Sequence, residues 1–151
     1  MRVFLKYWLP VLLWMTLIFS FSSDTHSQQH SSRFVEPFLH WLFPQMPQDG
    51  IERIHHGIRK CGHLTEYAIL ALWIWRALHQ SKNNLPDWSW PKVGGTLLIV
   101  FLYAATDEFH QRFVATRTPM ISDVLIDTIG GAVGLLALWV IRLCRKPKRE
   151  K

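Results

Sequence analysis

The sequence has little cysteine and contains none of the short motifs that mark common enzyme classes. Its two cysteines, Cys61 and Cys144, stand alone without a CxxC pair, so neither a zinc site nor a redox motif is indicated. The chain also lacks a Walker loop, a GxSxG serine motif, an HExxH metalloprotease motif and the Ser-His-Asp order. These absences exclude the best-marked nucleotide-binding and hydrolase classes.

Acidic residues are in the minority, with 11 Asp and Glu against 17 Lys and Arg. The basic excess is concentrated in the last ten residues, which follow an apolar run and contain Arg142, Arg145, Lys146, Lys148, Arg149 and Lys151. A basic cluster beside a membrane span is typical of a cytoplasmic anchor near anionic lipid. The alternative, a nucleic-acid-binding tail, is supported by no stacking motif and no recognition helix, so we expect no nucleic acid partner.

What the chain has in quantity is apolar sequence, which makes up 49% of it and includes eight Trp and nine Phe. We predict an all-α fold, a four-helix transmembrane bundle forming one domain over residues 1–151. The predicted helices cover about 5–21, 61–78, 93–109 and 123–143, and a basic tail covers 144–151. Each helix approaches the ~20 residues needed to cross a bilayer. The aromatic segment 34–43, which contains Pro37, is too short to span, so we expect a short interfacial segment in the first outer loop.

The distribution of Lys and Arg predicts the orientation of this bundle. With both termini inside, the inner side holds Arg2, Lys6, Arg76, Lys82, Lys92 and the six basic residues among the last ten. The outer side then holds Arg33, Arg53, Arg59, Lys60, Arg112 and Arg117. The positive-inside rule therefore favours cytoplasmic N and C termini. The first segment also has features of a cleaved signal peptide, but its apolar stretch is long for one, and we favour a retained helix.

Ionisable residues gather at the outer ends of three predicted helices. Glu66 and Asp127 lie inside their spans, where a charge costs about 2.5–3.5 kcal/mol even on the mildest scale. We therefore predict one shared ligand-binding site made of Lys60, His63, Glu66, Asp107, Glu108, Gln111, Arg117, Asp123 and Asp127. The alternative is that these residues are structural: Lys60 and Arg117 would then extend to lipid head groups, and Asp123 would only cap the fourth helix.

Three kinds of chemistry remain open for such a site. His63, Glu66 and Asp107 are candidate ligands for a divalent metal ion, which is the only cofactor that the sequence suggests. The same three side chains are candidate catalytic residues, as general acids and bases. Lys60 and Arg117 are candidates to hold a phosphate or carboxylate, the arginine in bidentate fashion.

These motifs together resemble those of the VanZ family of small bacterial membrane proteins. The resemblance rests on the stretches 19–23 (FSFSS), 59–67 (RKxxHxxEY), 106–113 (TDExHQxF) and 122–134 (SDVLIDxxG and a following Gly), with Arg117 between the last two. It covers most of the chain. The family name comes from a factor that raises resistance to the lipoglycopeptide teicoplanin, so the resemblance implies a role at the cell envelope, in the bacterial cytoplasmic membrane.

We carry three hypotheses of function forward from the sequence. The first is a non-enzymatic envelope factor that binds a lipid-linked or lipid-like molecule at the outer leaflet, with membrane lipid or a lipid-linked envelope precursor as its partner. The second is a small membrane enzyme acting on a phosphorylated or acylated envelope lipid. The third is a bundle whose polar residues only hold helices together.

The orientation can be tested with alkaline phosphatase, which is active only outside the cytoplasm. Fused after Lys151, it should be inactive, because the basic tail is expected inside. Fused to a chain truncated after Pro47, in the predicted outer loop, it should be active. Activity at Lys151 would refute the predicted orientation.

Overall fold

The described part of this chain forms a bundle of five helices, four of which pack on one long central helix. A computed structural model describes residues 2–23, 25–79, 88–113 and 121–145. Within these ranges the chain is helical and has no strand, which confirms the prediction of an all-α fold. The helices are α1 (Arg2–Ser23), α2 (Thr25–Leu42), α3 (Gln48–His79), α4 (Trp90–Gln111) and α5 (Ile121–Arg145).

The segment between the first two predicted spans contains more helix than the sequence predicted. The aromatic stretch 34–43, predicted as a short interfacial segment, belongs to α2, which has 18 residues and includes Pro37. It packs against α3, and Leu39 of α2 and Ile51 of α3 are both buried. The second predicted span is the C-terminal part of α3, which is 32 residues long. α3 therefore begins well before the apolar stretch, as the helical spacing of Ile51, Ile54 and Ile58 indicates.

Two of the helices are long and apolar enough to cross a membrane, over Phe4–Ser22 in α1 and Ser122–Arg145 in α5. Among the described residues α3 and α4 do not meet that criterion, so the four-span bundle stays a prediction. The reason is visible in their composition. α3 carries Lys60 just before its predicted span and Glu66 within it, and α4 begins at a Trp-Pro-Lys sequence and carries Asp107 and Glu108 near its end.

The core of the bundle is the apolar stripe of α3. Its fully buried side chains recur at the spacing of one helical face and include Tyr67, Leu70, Ala71, Ile74 and Trp75. They contact α1, α4 and α5, which surround α3. Because α1, α4 and α5 all pack on α3, the polar N-terminal half of α3 lies in the same bundle as its apolar half.

α3 and α5 approach so closely that there is no room for side chains between them. A Cβ at Gly130 would lie 2.5 Å from the carbonyl oxygen of Leu64, and one at Gly134 would lie 2.6 Å from that of Ala68. The GxxxG step of the sequence is therefore a helix-packing motif. Both contacts have the same offset, so the two helices run in parallel, and Asp127 lies level with the turn of α3 that holds Lys60 and His63.

α1 is fixed to its neighbours by hydrogen bonds from aromatic side chains. The indole Nε1 of Trp14 donates to the carbonyl oxygen of Glu66 at 2.9 Å. The hydroxyl of Tyr103, on α4, donates to the carbonyl oxygen of Met15. These bonds fix the position of α1 along the bundle axis. The C-terminal turn of α1 therefore lies beside the polar C-terminal end of α4.

We expect Gly134→Ala to destabilise the protein. The added methyl group meets backbone of α3, which cannot rotate away, and overpacking of this kind costs about 1–3 kcal/mol. Gly94→Ala is the matched control, because a Cβ at Gly94 meets nothing within 4 Å. Thermal unfolding in detergent, followed by tryptophan fluorescence, should give a lower midpoint for Gly134→Ala only. Equal midpoints for the two variants would contradict the close approach.

Candidate functional site

Three helices enclose a charged cavity at the end of the bundle where α4 ends and α5 begins. The cavity has a volume of about 50 Å³. Its lining residues are His56, Arg59, Lys60 and His63 of α3, Glu108 and Gln111 of α4, and Asp123, Ile126 and Asp127 of α5. A water molecule needs about 10–15 Å³ in a cavity, so this one has room for a few waters or one small charged group.

The wall that α3 contributes is basic. His56, Arg59, Lys60 and His63 follow the i, i+3, i+4, i+7 pattern of a single helix face. Arg59, Lys60 and His63 are all partly buried. The face turns toward α5 because the glycine contacts one turn further along fix the rotation of α3 against α5.

The opposite wall is acidic and comes from α4 and α5. Glu108, Gln111 and Asp127 are buried, and Asp127 is only 6% exposed. Asp123 lies one turn before Asp127, in the first turn of α5, where the helix dipole favours a negative charge. Asp107, Asp123, Glu108 and Glu66 all lie close enough to Asp127 to interact with it electrostatically.

A buried hydrogen-bond network connects α1 to this acidic wall. The hydroxyl of Ser22 donates to Oδ2 of Asp107 at 2.8 Å. Nε2 of Gln111 donates to the same hydroxyl at 2.6 Å and to Oδ2 of Asp107 at 3.2 Å. Ser22 and Asp107 are 1% and 2% exposed. The network therefore holds Gln111, a cavity residue, in a fixed orientation between the ends of α1 and α4.

His63 and Glu66 form the second polar contact near the cavity. Nδ1 of His63 lies 3.9 Å from Oε2 of Glu66, one turn apart on α3, and both side chains are about a quarter exposed. The contact carries ionic character when the imidazole is protonated. On the other side of the end of α4, the rings of His110 and Phe19 lie 4.3 Å apart.

The structure brings most of the predicted site together. Six of the nine predicted residues line the cavity: Lys60, His63, Glu108, Gln111, Asp123 and Asp127. Asp107 lies in the adjoining network, and Glu66 is connected to the cavity through His63. Arg117 lies outside the described residues. Among those that are described, no three His, Cys, Asp or Glu side chains form a group able to hold a metal ion, the proposed trio of His63, Glu66 and Asp107 included.

Three cavity residues and one network residue were not predicted as part of the site. His56, Arg59 and Ile126 line the cavity, and Ser22 holds Asp107. His56 and Arg59 have a signal in the sequence, because they continue the face of Lys60 and His63 by one turn. Ser22 belongs to the FSFSS stretch at 19–23, but its role was not predicted, since only the docking of α1 brings its hydroxyl to an acid 85 positions away.

Comparison with known protein families gives a match over most of the chain. A family model described as VanZ/LLP1 matches residues 7–142, which is nearly the whole chain and includes every described residue of the cavity. Neither the curated proteins nor the solved structures contain a significant match.

We expect Ser22→Ala to weaken the association of α1 with α4. The change removes a donor to Asp107 and an acceptor for Gln111 in a buried site, and such losses cost about 1–3 kcal/mol. Ser20→Ala is the control, because that hydroxyl is exposed and bonds only the carbonyl of Thr16 in its own helix. Chemical unfolding in detergent should show a lower free energy of unfolding for Ser22→Ala, and an unchanged one for Ser20→Ala. A loss of the same size in Ser20→Ala would mean that the network contributes nothing specific.

Proposed function

Because the chain belongs to the VanZ/LLP1 family, we propose that it is a multi-pass membrane protein that binds the charged head group of a lipid-like envelope molecule. The observation that carries this proposal is the charged cavity at one end of a bundle with an apolar outer surface. The cavity would lie at the outer face of the bacterial cytoplasmic membrane, and the protein would act as an envelope factor of the kind that affects lipoglycopeptide resistance.

The outer surface of the bundle supports a membrane location. Apolar residues of α1 and α5 form exposed stripes, which contain Leu5, Leu9, Leu12, Leu13 and Leu17 on α1 and Leu125, Ile129, Val133, Leu136 and Val140 on α5. Soluble monomers rarely expose contiguous apolar surface of this extent. Both stripes belong to the two helices that are long enough to cross a bilayer.

The depth of the cavity supports a lipid-like ligand. Asp127 lies six residues into α5, about 9 Å from the start of the helix at 1.5 Å per residue. If α5 crosses the membrane, Asp127 lies just below the head-group region and Asp123 lies within it. A ligand with a charged head and an apolar tail reaches both the cavity and the bilayer from this position. The basic tail after α5 supports placing the opposite, cavity-bearing end on the outside.

A membrane enzyme is the second candidate function, and it is favoured by one observation. His63 lines the same cavity as Glu108 and Asp127, so a general base and carboxylic acids face one small space. Of the three catalytic residues suggested by sequence, only His63 lines the cavity. An enzymatic mechanism would therefore use His63 with Glu108 or Asp127 rather than with Glu66 and Asp107.

Lipid retention tests the binding function. After purification in mild detergent, native mass spectrometry should detect bound lipid on the wild-type protein. Lys60→Gln should reduce its occupancy, because losing about 1.4 kcal/mol of head-group binding raises the Kd about tenfold. Lys6→Gln is the control, because Lys6 is an exposed lysine near the start of α1. Equal occupancy in the three proteins would exclude binding in the cavity.

The same preparation separates the binder from the enzyme. Incubation with an envelope lipid extract should leave every lipid mass unchanged if the protein only binds. A new product that requires His63, and is lost in His63→Gln, would establish the enzymatic alternative instead.

A further inference from the structure

The charges of the cavity are divided between its two walls. His56, Arg59, Lys60 and His63 all come from α3, while Glu108, Asp123 and Asp127 come from α4 and α5. A cavity for a simple anion or a simple cation would have charges of one sign around it. Two opposed walls are complementary to a ligand that carries both signs close together.

Asp127 is the residue that most requires a ligand. It is 94% buried and lines the cavity, yet no hydrogen bond or ion pair joins it to another residue in the described part of the chain. A carboxyl group in such a position without a hydrogen-bond partner is unusual, because buried polar groups are nearly always hydrogen-bonded. The acidic neighbours Asp123 and Glu108 increase the negative potential there. A positively charged donor is therefore the complementary group.

The size of the cavity limits which cation fits. At about 10–15 Å³ for each water-sized group, a primary ammonium takes only a part of the volume of about 50 Å³ and leaves the rest for an anion at the basic wall. A primary ammonium also brings three N–H donors, which Asp127 and its neighbours can accept. A trimethylammonium group is larger and has no N–H to donate.

The basic wall supplies the complementary site for an anion. Arg59 and Lys60 are partly buried neighbours at the cavity. Guanidinium and ammonium groups are the side chains that bind phosphate, the first in bidentate fashion and the second as a point charge. A phosphate held there would be within one small head group of an ammonium at Asp127.

We propose that the cavity binds a zwitterionic head group in which a primary ammonium contacts Asp127, Asp123 and Glu108, and a phosphate contacts Arg59 and Lys60. This inference rests on the proposed head-group binding and names its ligand class. The same chemistry exists in an aminoalkyl phospholipid of the bilayer and in a free aminoalkyl phosphate. The cavity lies about 9 Å from the start of α5, at the depth of lipid head groups if α5 crosses the membrane, and this favours the phospholipid over the free compound.

Head-group selectivity tests the proposal directly. Delipidated protein in detergent is titrated with short-chain phosphatidylethanolamine, phosphatidylcholine and phosphatidylglycerol of identical acyl chains, and binding is measured by calorimetry. Phosphatidylethanolamine should bind at least about tenfold tighter than either of the others. Soluble phosphoethanolamine, tested alone, distinguishes a phospholipid ligand from a free aminoalkyl phosphate. If it binds much more weakly than phosphatidylethanolamine, the ligand is the lipid. If it binds as tightly, the ligand is the free compound.

Two variants test which wall of the cavity is responsible for the head-group selectivity. Asp127→Asn keeps the shape of the side chain and removes its charge, so the preference for phosphatidylethanolamine over phosphatidylglycerol should disappear. Lys60→Gln should weaken both lipids in similar proportion. Asp49→Asn is the control, because Asp49 is an exposed acid at the start of α3, about 16 Å along the helix from Lys60, and should bind like the wild type.

The outcomes distinguish this inference from the function on which it rests. If phosphatidylglycerol binds as tightly as phosphatidylethanolamine to the wild-type protein, head-group binding stands and the zwitterionic assignment is wrong. If magnesium chloride alone binds and Asp127→Asn abolishes that binding, the acidic wall is a metal site and the assignment is also wrong. If none of the three lipids binds, the proposed function fails together with the inference.

Discussion

The close packing of α3 on α5 is the constraint on which the rest of this structure depends. Gly130 and Gly134 let α5 lie directly on the backbone of α3 at Leu64 and Ala68. The contact fixes distance, rotation and register at once, because side chains would otherwise separate the helices. One turn toward the helix starts, the same register places Asp127 opposite the basic face that includes Lys60 and His63. Beyond the glycine contacts the two helices no longer touch through their backbones. Polar side chains lie between them there, and these side chains line the cavity.

The polar groups at this end of the bundle are costly to bury, and the structure shows how part of that cost is offset. Asp107 accepts from Ser22 and Gln111, so one oxygen of this acid is satisfied by groups from two helices. Asp127 has no such donor among the described residues. The hydrogen bonds to Oδ2 give Asp107 a structural role, because they join α1 to α4. Asp127 lines the cavity and Asp107 does not, which is the reason for assigning the ligand to Asp127.

Sequence reasoning came close to the site but did not distinguish its parts. Depth in an apolar run selected Glu66 and Asp127, and position at the end of a run selected Asp107 and Glu108. The sequence does not show which carboxylates face the cavity. Helical spacing tells on which side of its own helix a residue lies, but not which residues of other helices lie opposite. The face of α3 was followed only from Lys60 to His63, although the same spacing extends back through Arg59 to His56. Ser22 was beyond reach, since its partner Asp107 lies 85 positions away.

The sequence by itself determined the helical class, the approximate place of the long helices, and the gathering of charge at one end. These follow from local rules: apolar runs of spanning length, helical spacing, and the cost of charge in hydrocarbon. Only the tertiary structure decided that α2 is a full helix on α3 and which six of the predicted residues share one cavity. It also decided that basic and acidic groups lie on opposite walls. Those features depend on register and rotation between helices, which are set by contacts such as Gly130 on Leu64 between residues far apart in the chain.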